Sequence, residues 1–240
     1  MSLKNNAICG IFSNERILNI MKIKEKKHLE QMTVESLPKK KAYCFFKRLF
    51  DVLLSVVALL ILFVPLLILS LILLIDSPGA SPIYVQERCG KNGKTFKFYK
   101  LRTMVKNADK IHPPESDNEM QGPAFKMKND PRITRVGKFL RRSSIDEFPQ
   151  LWNVIKGDMS LVGPRPPLPK EVARYTDEQI KRLSIKPGIT CYWQIQPKRN
   201  RLTFDQWVEL DLKYISERSF KTDLKILFKT FGSVFGLEGE

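Results

Sequence analysis

The chain has 240 residues, enough for one domain with an appendage, and its hydrophobic fraction of 43% is ordinary for a globular protein. Its 41 lysines and arginines against 25 acidic residues give a net charge of +16, so it should seek anions: nucleic acid, an acidic membrane face or phosphorylated substrates. The four cysteines are scattered without a C-x-x-C pair and the two histidines lie far apart, which argues against a disulfide framework, a zinc site and a Ser-His-Asp triad.

Residues 1–42 form a polar, basic leader. No apolar core precedes a small-residue cleavage site, so the leader is not a secretory signal peptide. The cations Lys39, Lys40, Lys41, Lys47 and Arg48 come next, interleaved with the aromatic residues Tyr43, Phe45, Phe46 and Phe50. Cations beside aromatic rings are typical of the boundary between membrane and water.

The segment Val52–Ile75 contains no charged residue. As a straight helix it would reach roughly 36 Å at about 1.5 Å per residue, against a hydrocarbon core of about 30 Å. Its length and uniform apolarity indicate a membrane helix rather than a buried helix of a soluble protein. Pro65 removes a helical hydrogen bond in the middle of the run and predicts a kink there.

Both flanks of this apolar segment are basic. The cations are Lys39, Lys40, Lys41, Lys47 and Arg48 before it, and Arg88, Lys91, Lys94, Lys97, Lys100 and Arg102 after it. A spanning helix would place one basic flank outside the cell, against the positive-inside tendency. A helix–break–helix hairpin that returns to the cytoplasmic face satisfies both flanks. We favour this re-entrant hairpin, and a spanning helix stays open.

The chain beyond the apolar segment alternates short elements with loops. Residues 76–82 stop the helix, and residues 83–102 predict two strands around a Gly90–Gly93 turn. Residues 105–130 predict a long polar loop, for which function and disorder are both open. Further on, residues 168–184 predict one helix, and residues 186–194 a turn and a short strand.

The C-terminal part of the chain predicts two helices, Phe204–Ile215 and Leu224–Val234. The second has apolar residues with lysines between them, which suits either a helix lying on a membrane or a helix facing the core. We therefore predict an α+β, mostly helical fold: residues 1–42 a leader, 43–76 a re-entrant membrane helix, and 77–240 a small cytoplasmic catalytic domain with short strands and interfacial amphipathic helices.

The stretch KFLRRSSIDEFPQLWNVIKGDMSLVGPRP, residues 138–166, carries the candidate chemistry. Adjacent carboxylates, Asp146 and Glu147, follow Arg141 by a few residues, and Arg165 is fixed between two prolines. Carboxylates among guanidiniums suggest work on an anion, most simply a phosphate. Ser144-x-x-Glu147 also matches a helix capping box, and both interpretations stay open.

The residue types allow specific roles. Asp146 could act as a nucleophile or as a metal ligand, because carboxylates serve as both. A Mg²⁺ ion suits the Asp146–Glu147 pair, since it keeps several waters and binds substrate oxygens. Arg141, Arg165 and Arg199 could hold phosphate oxygens in planar forks.

Several blocks of the sequence resemble the bacterial sugar transferase family of monotopic polyprenyl-phosphate phosphoglycosyl transferases. The blocks are KRLFDVLLS (47–55), the proline-broken apolar run, DSPG (76–79), QERCGKNGKTFKFYKLRTM (86–104), DPRITRVGKFLRRSSIDEFPQLWNVIKGDMSLVGPRP (130–166) and KPGIT (186–190). The resemblance covers roughly residues 43–235. Larger members carry an additional multi-helix membrane region, so the chain resembles a minimal member.

The resemblance implies transfer of a sugar 1-phosphate from a UDP-sugar to undecaprenyl phosphate, with release of UMP, at the cytoplasmic face of a bacterial inner membrane. In family terms Asp146 matches the nucleophile, Glu147 its acidic partner tied to Mg²⁺, and Arg141 and Arg165 phosphate-binding arginines. Arg199 lies in a loop like the family's Arg-Asn loop near the nucleotide. Here Pro197-Lys198 replaces the glycine that precedes that loop in the family. At the membrane bend Val64 stands where some small members have serine.

Two other functions are weighed against this one. A membrane-anchored nucleic-acid-binding protein is compatible with the charge, but no helix-turn-helix, zinc spacing or RNP-like motif is present, so we expect no nucleic-acid partner. A non-catalytic scaffold of a glycan assembly complex is the alternative to the enzyme, and the intact Asp146-Glu147 pair argues against it. The sequence leaves a homo-oligomer open.

Overall fold

The computed structural model describes residues 40–111, 118–119, 122–124, 127, 129–197 and 199–235. Nearly all of the leader and much of the predicted 105–130 loop lie outside the described residues. The helices and strands are, in order, α1 (Lys41–Asp76), β1 (Ile83–Cys89), β2 (Thr95–Leu101), α2 (Arg135–Arg142), α3 (Gln150–Lys156), β3 (Ser160–Val162), α4 (Pro169–Val172), α5 (Asp177–Ile180), β4 (Gly188–Thr190), α6 (Phe204–Glu217) and α7 (Phe220–Phe235). The architecture is mostly helical with a few short strands, which confirms the predicted fold class in this respect.

The apolar segment forms the single helix α1, with Pro65 inside it. Among the described residues it is the one helix that is long and apolar enough to cross a membrane. It ends at Asp76, as predicted, and the Ser77 N–H donates to the Leu73 carbonyl. The two-armed hairpin stays a prediction.

One side of α1 packs on the rest of the protein along much of its length. Asp51 and Ser55 are buried near its start, and Leu73 is buried near its end. The other side is bare and apolar, with Leu60 and Ile61 at least 70% exposed. Its exposed side chains include Leu53, Val57, Leu60, Ile61, Phe63, Val64, Leu67, Ile68 and Leu71.

The predicted hairpin is confirmed as an antiparallel pair, β1 and β2, in register from Ile83 opposite Leu101 to Cys89 opposite Thr95. The free edge of β2 is covered by α3 through one side chain. Asn153, fully buried, donates to the Lys97 carbonyl at 2.6 Å and accepts from the Tyr99 N–H at 3.2 Å. This amide replaces the missing neighbouring strand and fixes α3 beside the hairpin.

A second, parallel pair joins β3 to β4, with Ser160 opposite Gly188 and Val162 opposite Thr190. The sequence predicts β4 but not β3. The backbone at Gly163, just after β3, comes very close to the backbone of Gly188 on β4. A Cβ added at Gly188 would lie only 2.0 Å from the Gly163 nitrogen. Glycine at position 188 is therefore required by packing.

The prediction of one helix over residues 168–184 is wrong. The structure has α4, then α5, then a 3₁₀ turn over Lys181–Ser184. Thr176 ends the first piece and starts the second, since its hydroxyl accepts from the Gln179 N–H while the Gln179 side chain accepts from the Thr176 N–H. This capping box begins a new helix inside the predicted one.

The two predicted C-terminal helices are confirmed as α6 and α7. Helix α7 faces the core, because Ile226 is fully buried and the Thr230 hydroxyl is 2.6 Å from that of Thr190 on β4. On its opposite side Phe228 is 73% exposed. The structure thus confirms the core-facing interpretation for one side of this helix.

Candidate active site

All five candidate residues, Asp146, Glu147, Arg141, Arg165 and Arg199, line one cavity of about 320 Å³. The rest of the chain contributes its other walls. These are Arg88, Phe98, Lys100, Ser144, Gln150, Pro166, Gly188, Ile189, Trp193, Gln194 and Trp207. The structure therefore brings the predicted residues together, while their chemical roles stay predictions.

The acidic pair lies on a tight turn after α2. Ser144 adopts a left-handed conformation (φ 56°), and the 3₁₀ turn Ile145–Glu147 follows directly. Ser144 makes no capping hydrogen bond, so the capping-box interpretation is wrong. A non-glycine residue in this conformation is strained and is often found at functional sites. The turn buries Asp146, which is 5% exposed, at the edge of the cavity.

Lys100 is a cation in contact with both carboxylates. Its Nζ lies 2.9 Å from Glu147 Oε1 and 3.6 Å from Asp146 Oδ2. It also sits over the Phe98 ring, 5.7 Å from the centroid. This ammonium offsets the repulsion between the two adjacent acids.

Two of the predicted arginines are held by side chains behind them. Arg141 Nε donates to the hydroxyl of Thr103 at 2.9 Å. Arg165 Nη1 lies 3.3 Å from Oε2 of Glu171, a carboxylate only 2% exposed. The same Oε2 accepts from the Leu168 N–H at 2.8 Å, so Glu171 fixes both the Arg165 side chain and its loop.

Arg88 adds a further guanidinium beside Arg165. Its Nε and Nη2 donate to Gln86, and its Nη1 donates to the Pro166 carbonyl. Burial, together with the positive charge of Arg165, lowers the pKa of Arg88 to about 10. With a pKa of about 10 the guanidinium stays charged near neutral pH, so Arg88 adds a further positive charge to the cavity.

The sequence prediction assigned Arg88 and Lys100 to the basic membrane flank and did not include them in the site. A signal was present in the hairpin alternation. Successive side chains of a strand point to opposite faces, so Lys100 shares a face with Phe96 and Phe98. A lysine on the apolar face of a hairpin is unusual enough to suggest function. Gln150, Trp193 and Trp207 gave no comparable signal, because they are brought in from separate elements.

The charges of the cavity favour an anion that carries several negative charges. Five cationic side chains, including Arg199, face two carboxylates. A diphosphate carries the complementary charge, and guanidiniums bind its oxygens in planar pairs.

A magnesium ion is compatible with this donor set. Among the described residues no group of three or more His, Cys, Asp or Glu side chains is gathered for a metal. Magnesium is commonly held by one or two carboxylates together with waters and substrate phosphates. Asp146 and Glu147 supply such a pair, and Lys100 would have to yield part of its contact with them.

Comparison with known proteins decides the family. Residues 42–236 match the family described as bacterial sugar transferase. The chain belongs to the bacterial sugar transferase family. Within the family, it is 44% identical over 195 residues to a galactosyl transferase, CpsE, of Streptococcus agalactiae serotype III, a match covering 80% of this chain and 42% of that protein.

Two further relatives are matched over different shares of their own lengths. An undecaprenyl-phosphate galactose phosphotransferase of Salmonella typhimurium is 38% identical over 244 residues, covering 100% of this chain and 48% of that protein. The exopolysaccharide production protein ExoY of Rhizobium meliloti is 42% identical over 194 residues, covering 78% of this chain and 84% of that protein. The chain thus spans less than half the length of the first two relatives and most of the third.

Proposed function

We propose that this protein transfers a sugar 1-phosphate from a UDP-sugar to undecaprenyl phosphate and releases UMP, as the first membrane step of surface glycan synthesis. The observation that carries the proposal is the buried Asp146 carboxylate at the edge of a cavity with five cations. The relative named as an undecaprenyl-phosphate galactose phosphotransferase supports the reaction class.

In the first step a carboxylate oxygen of Asp146 attacks the phosphorus that bears the sugar. A bond forms between that oxygen and phosphorus, and the bond from phosphorus to the bridging oxygen breaks. UMP leaves with the electron pair, and the protein carries a phosphoglycosyl-aspartate. Arg88, Arg141 and Arg165 hold the charge that develops on the phosphate oxygens.

In the second step a phosphate oxygen of undecaprenyl phosphate attacks the same phosphorus and displaces Asp146. The carboxylate is regenerated, and the product is an undecaprenyl-diphosphate sugar. Dividing the transfer in this way lets the soluble donor and the lipid acceptor use one site in turn. Lys100 lies within reach of both acids and keeps them in place between the steps.

Magnesium, when held by Asp146 and Glu147, would supply Lewis-acid stabilisation of the diphosphate oxygens. The protein's own contribution is the placement of the acids on a rigid turn and of the arginines on supported loops. Removing the metal with a chelator should reduce UMP release, and added Mg²⁺ should restore it.

The membrane arrangement belongs to the same proposal. The packed side of α1 runs from Asp51 to Leu73, roughly 33 Å at about 1.5 Å per residue. A helix spanning the bilayer over this length would draw its packing partners, including the Ser160 hydroxyl bonded to Asp51 at 2.7 Å, into hydrocarbon. A shallow, re-entrant helix instead leaves the catalytic domain on the cytoplasmic face, beside the lipid phosphate.

The experiment is UMP release from a panel of UDP-sugars by protein in detergent, with undecaprenyl phosphate and Mg²⁺. UDP-galactose comes first because two relatives are named for galactose. One sugar should give UMP that depends on the lipid. Without the lipid, the protein should gain the mass of one sugar phosphate.

Asp146→Asn should reduce the turnover by about 10³-fold or more and abolish the mass gain, since the amide is a poor nucleophile. Asp158→Asn is the matched control, because Asp158 pairs with Lys156 and does not line the cavity. Undiminished transfer by Asp146→Asn would overturn the assignment of the nucleophile and favour the scaffold.

A further inference from the structure

Three side chains that line the cavity each bury a nitrogen donor that has no partner among the described residues. They are the Nε2 of Gln150, the Nε1 of Trp193 and the Nε1 of Trp207. Gln150 is 2% exposed and Trp207 is 7% exposed. The three come from α3, from the segment after β4 and from α6, so separate elements bring them to one cavity.

An unpaired buried donor is unfavourable by about 1–3 kcal/mol, and native proteins contain few of them. Three neutral donors around one cavity are therefore more than packing alone explains. The nitrogens themselves are shielded from solvent. Small side-chain rotations, which are common on binding, would turn them towards a ligand seated in the cavity.

All three groups donate, so their ligand must offer acceptor oxygens. The phosphates already have the five cationic side chains, and neutral N–H groups suit uncharged oxygens. The indoles of Trp193 and Trp207 stack on each other, with ring centroids 4.3 Å apart and an interplanar angle of 15°. The stacked pair and Gln150 therefore add neutral donors to a cavity whose other polar side chains are mainly charged.

We propose that Gln150, Trp193 and Trp207 recognise the uncharged part of the nucleotide-sugar donor, through carbonyl oxygens of its pyrimidine base or hydroxyl oxygens of its sugar. This inference rests on the proposed function. It assigns the three residues a role in donor affinity and selectivity, separate from the chemistry at Asp146.

The test replaces each donor by an apolar side chain: Gln150→Met, which keeps the bulk, and Trp193→Phe and Trp207→Phe, which keep an aromatic ring. The affinity of purified protein for UDP-sugar is measured by titration, together with KM and kcat. Each change should weaken donor binding about 3- to 10-fold, the effect of one neutral hydrogen bond, and should change kcat less. Trp152→Phe is the matched control, because Trp152 is 52% exposed and does not line the cavity.

Trp→Phe also shrinks a buried ring. A benzothienyl analogue of tryptophan at position 207 therefore provides a variant that keeps the ring size and removes the N–H.

Titration with UDP alone shows whether the three donors bind the base or the sugar of the UDP-sugar. Weaker binding of both UDP and UDP-sugar assigns the donors to the base, and weaker binding of UDP-sugar alone assigns them to the sugar.

Unchanged affinity in the Gln150 variant and in the analogue, with turnover by the wild type intact, would overturn this inference and leave the proposed function standing. A wild type that binds UDP-sugar without releasing UMP would overturn the reaction, while the titrations would still decide the role of the three donors. A wild type that binds no UDP-sugar would overturn both.

Discussion

Two arginines of the cavity, Arg141 and Arg165, are oriented by side chains that do not line the cavity, those of Thr103 and Glu171. Glu171 is the clearest case, because its buried Oε2 meets both Arg165 and the Leu168 N–H. A guanidinium that is fixed before the substrate arrives loses less freedom on binding. Glu171 is therefore a positioning residue for Arg165.

Glu171→Gln should raise the donor KM about tenfold, an effect of ~1.4 kcal/mol. The amide still accepts from the Leu168 N–H but no longer attracts the guanidinium. In an Arg165→Ala background the same change should alter KM less than twofold, because residues that act through each other are not additive. Glu178→Gln serves as the control, since Glu178 is exposed, pairs with exposed Lys181 and does not line the cavity.

Equal effects of Glu171→Gln in both backgrounds would show that Glu171 acts on folding rather than through Arg165. If Arg165→Ala by itself left the donor KM unchanged, Arg165 would not take part in donor binding. The two results are distinguishable in one set of four proteins.

How far the sequence predicts the site depends on the kind of residue. Asp146, Glu147, Arg141 and Arg165 lie in one stretch whose pattern indicates anion chemistry, and the structure places them together. Lys100 comes from a hairpin nearly fifty residues earlier, and only its face in the strand relates it to the acids. Contacts between distant elements have no local signature, so such residues are missed.

At the scale of elements, helix α2 reaches the end of the hairpin at a point where no side chain fits. A Cβ on Gly137 would lie 2.0 Å from the Thr103 carbonyl oxygen. That carbonyl accepts from the Thr134 N–H, and the Thr103 hydroxyl accepts from Arg141. The glycine therefore sets both the position of α2 and the aim of Arg141.

Gly137→Ala should lower the free energy of unfolding by about 1–3 kcal/mol, the range of overpacking, and should also weaken donor binding. Thermal unfolding in detergent and the donor titration measure the two effects. Gly232→Ala is the control, because nothing lies within 4 Å of its added Cβ. A Gly137→Ala protein as stable as the control would mean that α2 does not need this close approach.

A second element-scale contact ties α1 to α7. Asp223, 4% exposed, accepts from the Tyr43 hydroxyl at 2.8 Å, from Lys47 at 2.9 Å and from the Tyr214 hydroxyl at 2.7 Å. Asp223→Ala should lower the free energy of unfolding by about 3 kcal/mol, because it leaves these donors without their acceptor. Thermal unfolding measures this, with Lys221→Ala on the exposed side of the same helix as the control. Equal stability of the two variants would contradict a role for Asp223 in holding α1.

The elements themselves follow from the sequence where local patterns are strong. The hairpin, α6 and α7 are predicted by alternation, turn residues and helical spacing. The break at Thr176 is not predicted, since it depends on competition between a cap and a continuous helix. Strand β3 is not predicted either, because it has three residues and forms only where β4 lies beside it.

At the scale of the whole molecule, the bare apolar side of α1 is suited to a membrane anchor. Its apolar side chains are exposed along the helix, and cations precede and follow it. Water does not stabilise such a surface, and a bilayer does. The same features are the basis of the proposed topology, because both basic flanks can lie at the cytoplasmic face only if the helix does not cross.

Cysteine labelling in intact cells tests this topology. Cys9 precedes α1, and Lys94→Cys would place a second thiol in the hairpin turn after it, with Cys44→Ser removing the exposed thiol on α1 itself. A re-entrant helix predicts that an impermeant maleimide labels neither Cys9 nor position 94 until the membrane is permeabilised, after which both react. A spanning helix predicts that one of the two reacts from outside, while the other stays protected. A site that uses a cytoplasmic UDP-sugar must itself face the cytoplasm. Labelling of position 94 from outside would therefore contradict both the hairpin and the proposed reaction. Labelling of Cys9 alone would contradict only the hairpin.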